Sequence, residues 1–298
     1  MKRFEFAHVA EGIARQAGAL LREFYTKGVE TEYKGDVDLV TEADRASEKL
    51  IREKLTAAFP GHGIFGEEGT REQLDSEYRW YVDPLDGTTN FAHGFPAFCV
   101  ILGLERRAAG LAKDAGDLSK DKDGEIVAGV IYDPLRDEMF SAERGKGAFL
   151  NGKAIHVSKT RTLAESLTAT GFPSHKRHSS PNMHFYQEIT LRSHGVRRAG
   201  SAGLDLAYVA CGRLDGFWEF NLNPWDTSAG VLLVEEAGGT VTHFDGGRFT
   251  LDSREVFATN GLVKAEMQHL FQEMFAGREM GAIPTPAEFA AKRKAEVK

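Results

Sequence analysis

Between residues 4 and 27, apolar positions recur every three to four residues: Phe4, Ala7, Ala10, Ile13, Ala14, Ala17, Leu20, Leu21 and Phe24. That spacing places them on one face of a helix, and Gly28 suits the position just past its end. After an extended piece from Val29 to Tyr33, a second helix presents Ala43, Leu50, Ile51, Leu55 and Ala58 to a core and stops by Pro60-Gly61. Thr41 is its N-cap, with Asp44 three residues on as the far side of a capping box. Gly63 to Gly66 reads as a short strand running into the acidic turn Glu67-Glu68, and residues 70 to 78 are polar and read as surface. Trp80-Tyr81-Val82 is the end of a buried strand. The chain then changes to Asp83-Pro84-Leu85-Asp86-Gly87-Thr88-Thr89-Asn90, a loop opening onto a helix N-terminus.

Phe95 to Leu104 is a continuous apolar run and reads as a buried strand. Residues 105 to 125 are rich in Lys, Asp, Ala and Gly and read mostly as an exposed loop. Strands follow at Val127 to Tyr132, Glu138 to Ala142 and Ala148 to Leu150, and Asn151-Gly152 before Ile155 signals a type I′ hairpin. The first half therefore reads as two helices and an antiparallel sheet. From Ser166 the rhythm changes to alternating strands and helices: 166–170, 183–193, 196–198, 201–211, 216–220, 224–237, 240–244, 256–259 and 262–275. That alternation predicts an α/β lobe. The tail from Gly277 reads as a peripheral helix or a frayed end.

Composition narrows the classes. A net charge of −7 over 298 residues argues against a general nucleic-acid or membrane binder. No apolar run approaches the ~20 residues of a membrane helix. The N-terminus lacks an apolar signal-peptide core. Cys99 and Cys211 read as buried thiols in a reducing compartment. A cytoplasmic protein is the simplest expectation.

Acidic residues gather at element ends: Asp44, Glu67-Glu68, Asp83 with Asp86, and Asp226, with Glu219 on the strand before it. Carboxylates without His partners suit hard cations such as Mg²⁺ or Mn²⁺. The backbone N–H groups of Gly87 and Thr88 suit a phosphate. Taken singly, each acid reads as a cap or a solvated side chain, and Asp-Pro-x-Asp-Gly is a common turn sequence. Ser201 has no convincing His partner for nucleophilic work. His175, His178, His184 and His194 match no zinc spacing and read as a surface segment.

The combination resembles the inositol monophosphatase family of Mg²⁺-dependent, lithium-sensitive phosphatases. The likeness runs from about residue 5 to 275. It is carried by Asp38-Leu39-Val40-Thr41-Glu42-Ala43-Asp44, Gly66-Glu67-Glu68, Trp80 to Phe91, and Asn223-Pro224-Trp225-Asp226 with Glu235-Glu236-Ala237-Gly238-Gly239 behind it. The resemblance implies a layered αβαβα sandwich, an antiparallel-sheet lobe (1–160) followed by an α/β lobe (161–275), forming one catalytic domain with a peripheral tail (276–298). It implies that Glu67, Asp83 and the Leu85 carbonyl bind a first metal, and Asp83, Asp86 and Asp226 a second, with Glu67 helping to hold a third through water. Thr88 and Asp44 would orient the attacking water, with Glu67 assisting. Gly87 and Thr88 would meet the phosphate, and Gly200, Ser201, Ala202, Glu219, Asp86 and Asp226 would line the substrate site. The implied reaction is hydrolysis of an inositol phosphate, with fructose-1,6-bisphosphatase, 3′-phosphoadenosine 5′-phosphate phosphatase and histidinol-phosphatase activities as rivals on the same metals. A homodimer is implied. Some bacterial relatives also partner the transcription or ribosome machinery, for which Arg197-Arg198 offers a basic strand. Leu85 stands where isoleucine is commoner, a harmless change if only its carbonyl is used, and the 105–125 segment is longer than usual.

Overall fold

A computed structural model describes residues 5–28, 31–33, 39–107, 124–172, 180–278, 283 and 285–288. Small residues decide how the first helix sits. Ala7, Ala10, Ala14 and Ala17 of α1 (Phe6–Lys27) are fully buried, so its backbone lies close to the sheet beneath. Beside it packs α2 (Glu42–Ala58), after the short pair β1 (Thr31–Tyr33) and β2 (Leu39–Thr41). The helices cover one face of an eight-stranded sheet. Its strands are β3 (Gly63–Gly66), β4 (Arg71–Glu72), β5 (Tyr78–Asp86), β6 (Cys99–Arg106), β7 (Glu125–Asp133), β8 (Glu138–Glu143), β9 (Ala148–Leu150) and β10 (Lys153–Ile155). Their order is β10-β9-β8-β7-β6-β5-β3-β4. A one-turn helix, α3 (Thr88–Ala92), follows β5.

The second half builds a five-stranded sheet from β11 (Leu167–Thr170), β12 (Gly195–Arg197), β13 (Gly216–Phe220), β14 (Thr240–Thr242) and β15 (Glu255–Thr259), in the order β12-β11-β13-β15-β14. Two of its helices, α5 (Ala202–Ala210) and α6 (Pro224–Glu236), lie between the two sheets in one shared core. Their nearly all-round apolar sequences suit that middle layer. Gly103 and Gly129 on the first sheet leave no room for a side chain: a Cβ would come within 2.5 Å of Ser228 Cβ and 2.9 Å of Ala229 Cα on α6. Last, α4 (Asn182–Thr190) and α7 (Lys264–Phe275) cover the outer face of the second sheet with Phe185, Phe271 and Met267. The layers run α, β, α, β, α, which is the expected sandwich.

Three local expectations are corrected. The first sheet is not wholly antiparallel, because β3 pairs parallel with β5, with Gly66 opposite Val82. A parallel pair brings both C-terminal ends to the same edge, so the Glu67 turn and the Asp83–Asp86 segment emerge side by side. The apolar run from Phe95 becomes strand only at Cys99; Phe95 itself is 53% exposed, ahead of Pro96. Cys99 is buried, but Cys211 only half so, and both are free thiols. The Asn151-Gly152 turn has the two positive φ values that its type requires, 49° and 75°. Asp38, the 108–123 part of the long connection, His175, His178 and most of the tail lie outside the described residues. Among those described, no helix is long and apolar enough to cross a membrane.

Candidate active site

Strand geometry alone would keep Asp83 and Asp86 apart. Side chains three residues apart on a regular strand point to opposite faces. Here the pairing of β5 with β6 slips: Asp83 faces Ile101, while Asp86 faces Cys99, three residues on one strand against two on the other. The extra residue is a bulge, and it turns both carboxylates into one cavity. Gly87 then takes φ +94° to start α3, and a Cβ there would lie 2.8 Å from the Ala97 carbonyl oxygen.

The cavity holds about 610 Å³. From the first half it is lined by Glu67, Asp83, Leu85, Asp86, Gly87 and Thr88, and from the second by Gly200, Ser201, Ala202, Glu219 and Asp226. Of the site residues that the resemblance implies, only Asp44 stands behind the wall. Its Oδ2 accepts from the Thr41 amide at 2.8 Å and the Thr41 hydroxyl at 2.6 Å, and its Oδ1 accepts from Thr88 Oγ1 at 3.0 Å. One carboxylate thus completes the capping box of α2 and holds the threonine that faces the cavity. Thr88 Oγ1 also lies 3.0 Å from the Leu85 carbonyl oxygen.

Asp226 sits in the first turn of α6, where Pro224 starts the helix and the Asn223 amide donates to Asp226 Oδ2 at 2.6 Å. Trp225 beside it stacks on Phe65 with ring centres 5.7 Å apart, so this helix start is seated on the strand that delivers Glu67. The start of α5 grips Asp86. Ser201 Oγ donates to Asp86 Oδ2 at 2.6 Å, the Gly203 amide donates to the same oxygen at 2.7 Å, and Cys99 Sγ lies 3.6 Å away. Ser201 lines the cavity, but its hydroxyl is taken up by the acid. Its side chain is buried at 1% exposure and is committed to Asp86. The reason is the N-cap geometry of α5, which points that hydroxyl back into the first helical turn and the acid beneath it.

The acids are held at the limit of mutual repulsion. Burial, followed by Glu67, Asp86 and Asp226, pushes Asp83 well above the usual carboxylate range. Burial and Asp86 push Asp226 up to about 8. Asp86 is also raised by burial, against the lowering effect of its Ser201 and Gly203 bonds. Glu67 is among the neighbours that raise Asp83, so the two acids stand against each other. Among the described residues, no three acids are already drawn together tightly enough to enclose an ion. The donor set nonetheless fits hard divalent cations: oxygen ligands only, and buried acids raised by one another, whose repulsion a cation would relieve.

Several residues carry the site that sequence reading left without a role. Asn90 Nδ2 lies within hydrogen-bond distance of the carbonyl oxygens of Ala97 (2.6 Å), Ala199 (2.8 Å) and Gly200 (3.2 Å), tying α3 to the start of α5. It lies within the 80–91 stretch, which was its only signal. Gly171 backs Glu219 so closely that a Cβ would fall 2.1 Å from the carboxylate. In sequence Arg198 reads with Arg197 as one basic strand. It is exposed and also lines the cavity, and its charge acts on Glu219 and Asp205, two buried acids otherwise raised by burial. Gly200, at φ +81°, turns the chain so that the guanidinium folds back over it, a placement invisible in two adjacent arginines. His184 and His194 are exposed, consistent with surface positions.

A layered sandwich whose two sheets meet over a cavity of converging carboxylates defines a phosphate-ester hydrolase, and comparison with known proteins agrees. The sequence profile of the inositol monophosphatase family matches residues 3–276. An inositol-1-monophosphatase from Mesorhizobium japonicum is 41% identical over 282 residues, covering 93% of this chain and all (100%) of the relative. The Nus factor SuhB of Pseudomonas aeruginosa is 40% identical, covering 85% of this chain and 90% of its own. The crystal structure of the extragenic suppressor protein suhB from Bartonella henselae superposes with a TM-score of 0.79 at 40% identity, covering 89% of this chain and 98% of that one. The chain belongs to the inositol monophosphatase family, a family of metal-dependent phosphatases.

Proposed function

We propose that this phosphatase is a Mg²⁺-dependent inositol-1-monophosphatase, with residues 1–275 acting as one catalytic unit. The carrying observation is the convergence of Glu67, Asp83, Asp86 and Asp226 on one cavity that Glu219 also lines. In this reading, Glu67, Asp83 and the Leu85 carbonyl hold one Mg²⁺, and Asp83, Asp86 and Asp226 hold another, with Glu67 assisting a third through water. Mn²⁺ is an alternative ion. Bound cations supply water activation at neutral pH and neutralise charge on the phosphate and the leaving oxygen. The chain's own residues do the positioning. Thr88, donating to Asp44, keeps a hydroxyl lone pair to accept a hydrogen bond from the attacking water and so aims it, with Glu67 assisting. The amides of Gly87 and Thr88 receive phosphate oxygens. Glu219, with the backbone of Gly200, Ser201 and Ala202, meets the hydroxyls of the leaving polyol, alongside Asp86. No residue forms a bond to phosphorus.

The test is a panel of inositol 1-phosphate, fructose 1,6-bisphosphate, histidinol phosphate and 3′-phosphoadenosine 5′-phosphate, each with Mg²⁺. Inositol 1-phosphate is expected to give the highest kcat/KM. Preference for another member overturns the substrate, and inertness toward all four overturns the cation-assisted phosphatase. Li⁺ is expected to inhibit; a flat lithium titration removes that trait. The same reading carries a cytoplasmic homodimer, checked by sedimentation.

The name of the Pseudomonas relative favours a second role, as a partner of the transcription machinery. Both arginines are exposed, but Arg198 belongs to the cavity lining, so Arg197 is the one offered for such a contact. A pull-down that survives Asp86→Asn and fails with Arg197→Glu supports the role, and an empty pull-down removes it.

A further inference from the structure

Helix α2 touches the site at more than Asp44. Three of its residues, Asp44, Ser47 and Glu48, are spaced i, i+3 and i+4, which puts them on one helix face. All three are buried, and each reaches a different segment of the first-half wall. Asp44 receives Thr88 Oγ1 at 3.0 Å. Ser47 Oγ donates to the Pro84 carbonyl oxygen at 2.9 Å, within the bulge that turns Asp83 and Asp86 together. Glu48 takes the turn that carries Glu67: its Oε2 accepts from the Glu68 amide at 2.7 Å, and its Oε1 from the Thr70 amide at 2.9 Å and the Thr70 hydroxyl at 2.7 Å.

The Glu67 turn is thereby held from both sides. The Glu67 amide donates to the Val82 carbonyl at 3.0 Å, and the next amide in the chain goes to Glu48. The Gly66 amide closes the turn onto the Thr70 carbonyl at 2.9 Å. A Cβ on Gly66 would lie 2.5 Å from Glu48 Oε2, so the glycine is what lets the helix carboxylate reach in. With its own amide and the following one both anchored, Glu67 keeps only side-chain rotations.

We infer that the Ser47–Glu48 face of α2 is a positioning element for cation binding: it sets Glu67 against Asp83 and the Leu85 carbonyl by fixing the two loops that carry them to one rigid helix. Neither residue touches a cation or substrate. An α-helix holds positions three and four apart at a fixed spacing, so loops pinned to it inherit that spacing. The inference rests on the cation-dependent reading above and adds to it residues outside the ligand set.

Glu48→Gln isolates the effect. A glutamine has one acceptor oxygen, so its NH₂ must face an amide donor of Glu68 or Thr70, and that side of the turn is released. Ser47→Ala removes the tie to Pro84, and Thr70→Val removes one donor from the Glu48 cluster while leaving the amide. Arg52→Ala is the control, on the same helix but in an exposed pair with Glu72 at 3.2 Å.

The measurement is Mn²⁺ titration of the full-length protein, with the free aquated ion followed by electron paramagnetic resonance. Glu48→Gln is expected to bind Mn²⁺ about tenfold or more weakly, the range seen when a ligand-orienting partner is removed. Ser47→Ala and Thr70→Val are expected to follow in the same direction by smaller factors, with Arg52→Ala unchanged. At saturating Mn²⁺ the substrate KM is expected to stay at the wild-type value in all four. Wild-type Mn²⁺ affinity in a folded Glu48→Gln overturns the inference, as does an equal loss in Arg52→Ala. If Glu48→Gln does not fold, wild-type affinity in both Ser47→Ala and Thr70→Val overturns it. Wild-type protein that retains no Mn²⁺ overturns the cation reading itself and this inference with it, an outcome distinct from the others because it appears before any substitution.

Discussion

Ser201→Ala separates two roles for one hydroxyl. The side chain is 1% exposed and donates to Asp86 Oδ2 at 2.6 Å. It also accepts from the Leu204 amide at 3.4 Å as the N-cap of α5. A hydrogen bond to a charged partner is worth about 1.5–3 kcal/mol, but the Gly203 amide remains on the same oxygen, so the lower end applies. The cap adds little at its long distance, where helix caps at good geometry give about 1 kcal/mol. The variant should thus lose about 1–2 kcal/mol of stability, a fall in Tm of roughly 2–8 °C for a chain of this size. Its functional signature follows from what the hydroxyl holds. Asp86 freed to rotate should raise the Mg²⁺ concentration for half-activation about tenfold. The substrate KM, measured at saturating Mg²⁺, should change by less than about twofold, because no uniform binding contact to substrate is lost. The assay is initial-rate phosphate release over a grid of Mg²⁺ and inositol 1-phosphate. An unchanged Mg²⁺ requirement with a raised KM would refute the reasoning and return Ser201 to the substrate.

Asp86→Asn and Asp226→Asn each remove a charge from the cavity without changing size, and turnover is expected to fall almost to background while circular dichroism stays native. Most of the activity surviving in either variant contradicts the cation assignment. Gly171→Ala drives a methyl into the Glu219 carboxylate, so KM should rise more than kcat falls; a wild-type KM contradicts Glu219 as a polyol contact. Asp226 carries a proton below about 8 in the ion-free protein, having been raised from 3.8. A raised folded-state pKa stabilises below the unfolded value and ceases to do so as pH rises through the folded one. Ion-free Tm should therefore fall progressively as pH rises from 3.8 to about 8 and level off above it. Calorimetric Mg²⁺ binding at pH 7 should release protons, seen as heats that differ between buffers of different ionisation enthalpy. Heats that do not depend on the buffer contradict the proton–cation exchange.

Local pattern was enough for most of the elements and for the acids that line the cavity. The alanine face of α1, the Thr41–Asp44 capping box, the Asn151-Gly152 hairpin and the Pro224 helix start are short-range features, set by neighbours within a few residues. Oxygen-only acids in four separated motifs likewise pointed to hard cations, since ligand chemistry is a property of residue type. Only the tertiary structure decided how those acids meet. The parallel pairing of β3 with β5 brings Glu67 beside Asp83, and the bulge in β5 turns Asp83 and Asp86 to one side, because both depend on strand partners distant in sequence. The same holds for Ser201 turning to Asp86, for Arg198 folding over Gly200, and for Glu48 reaching the Glu67 turn. Residue type and local spacing say which groups can do chemistry. Which of them hold and which are held depends on distances across the fold, and those arise only when the packed layers bring the segments together.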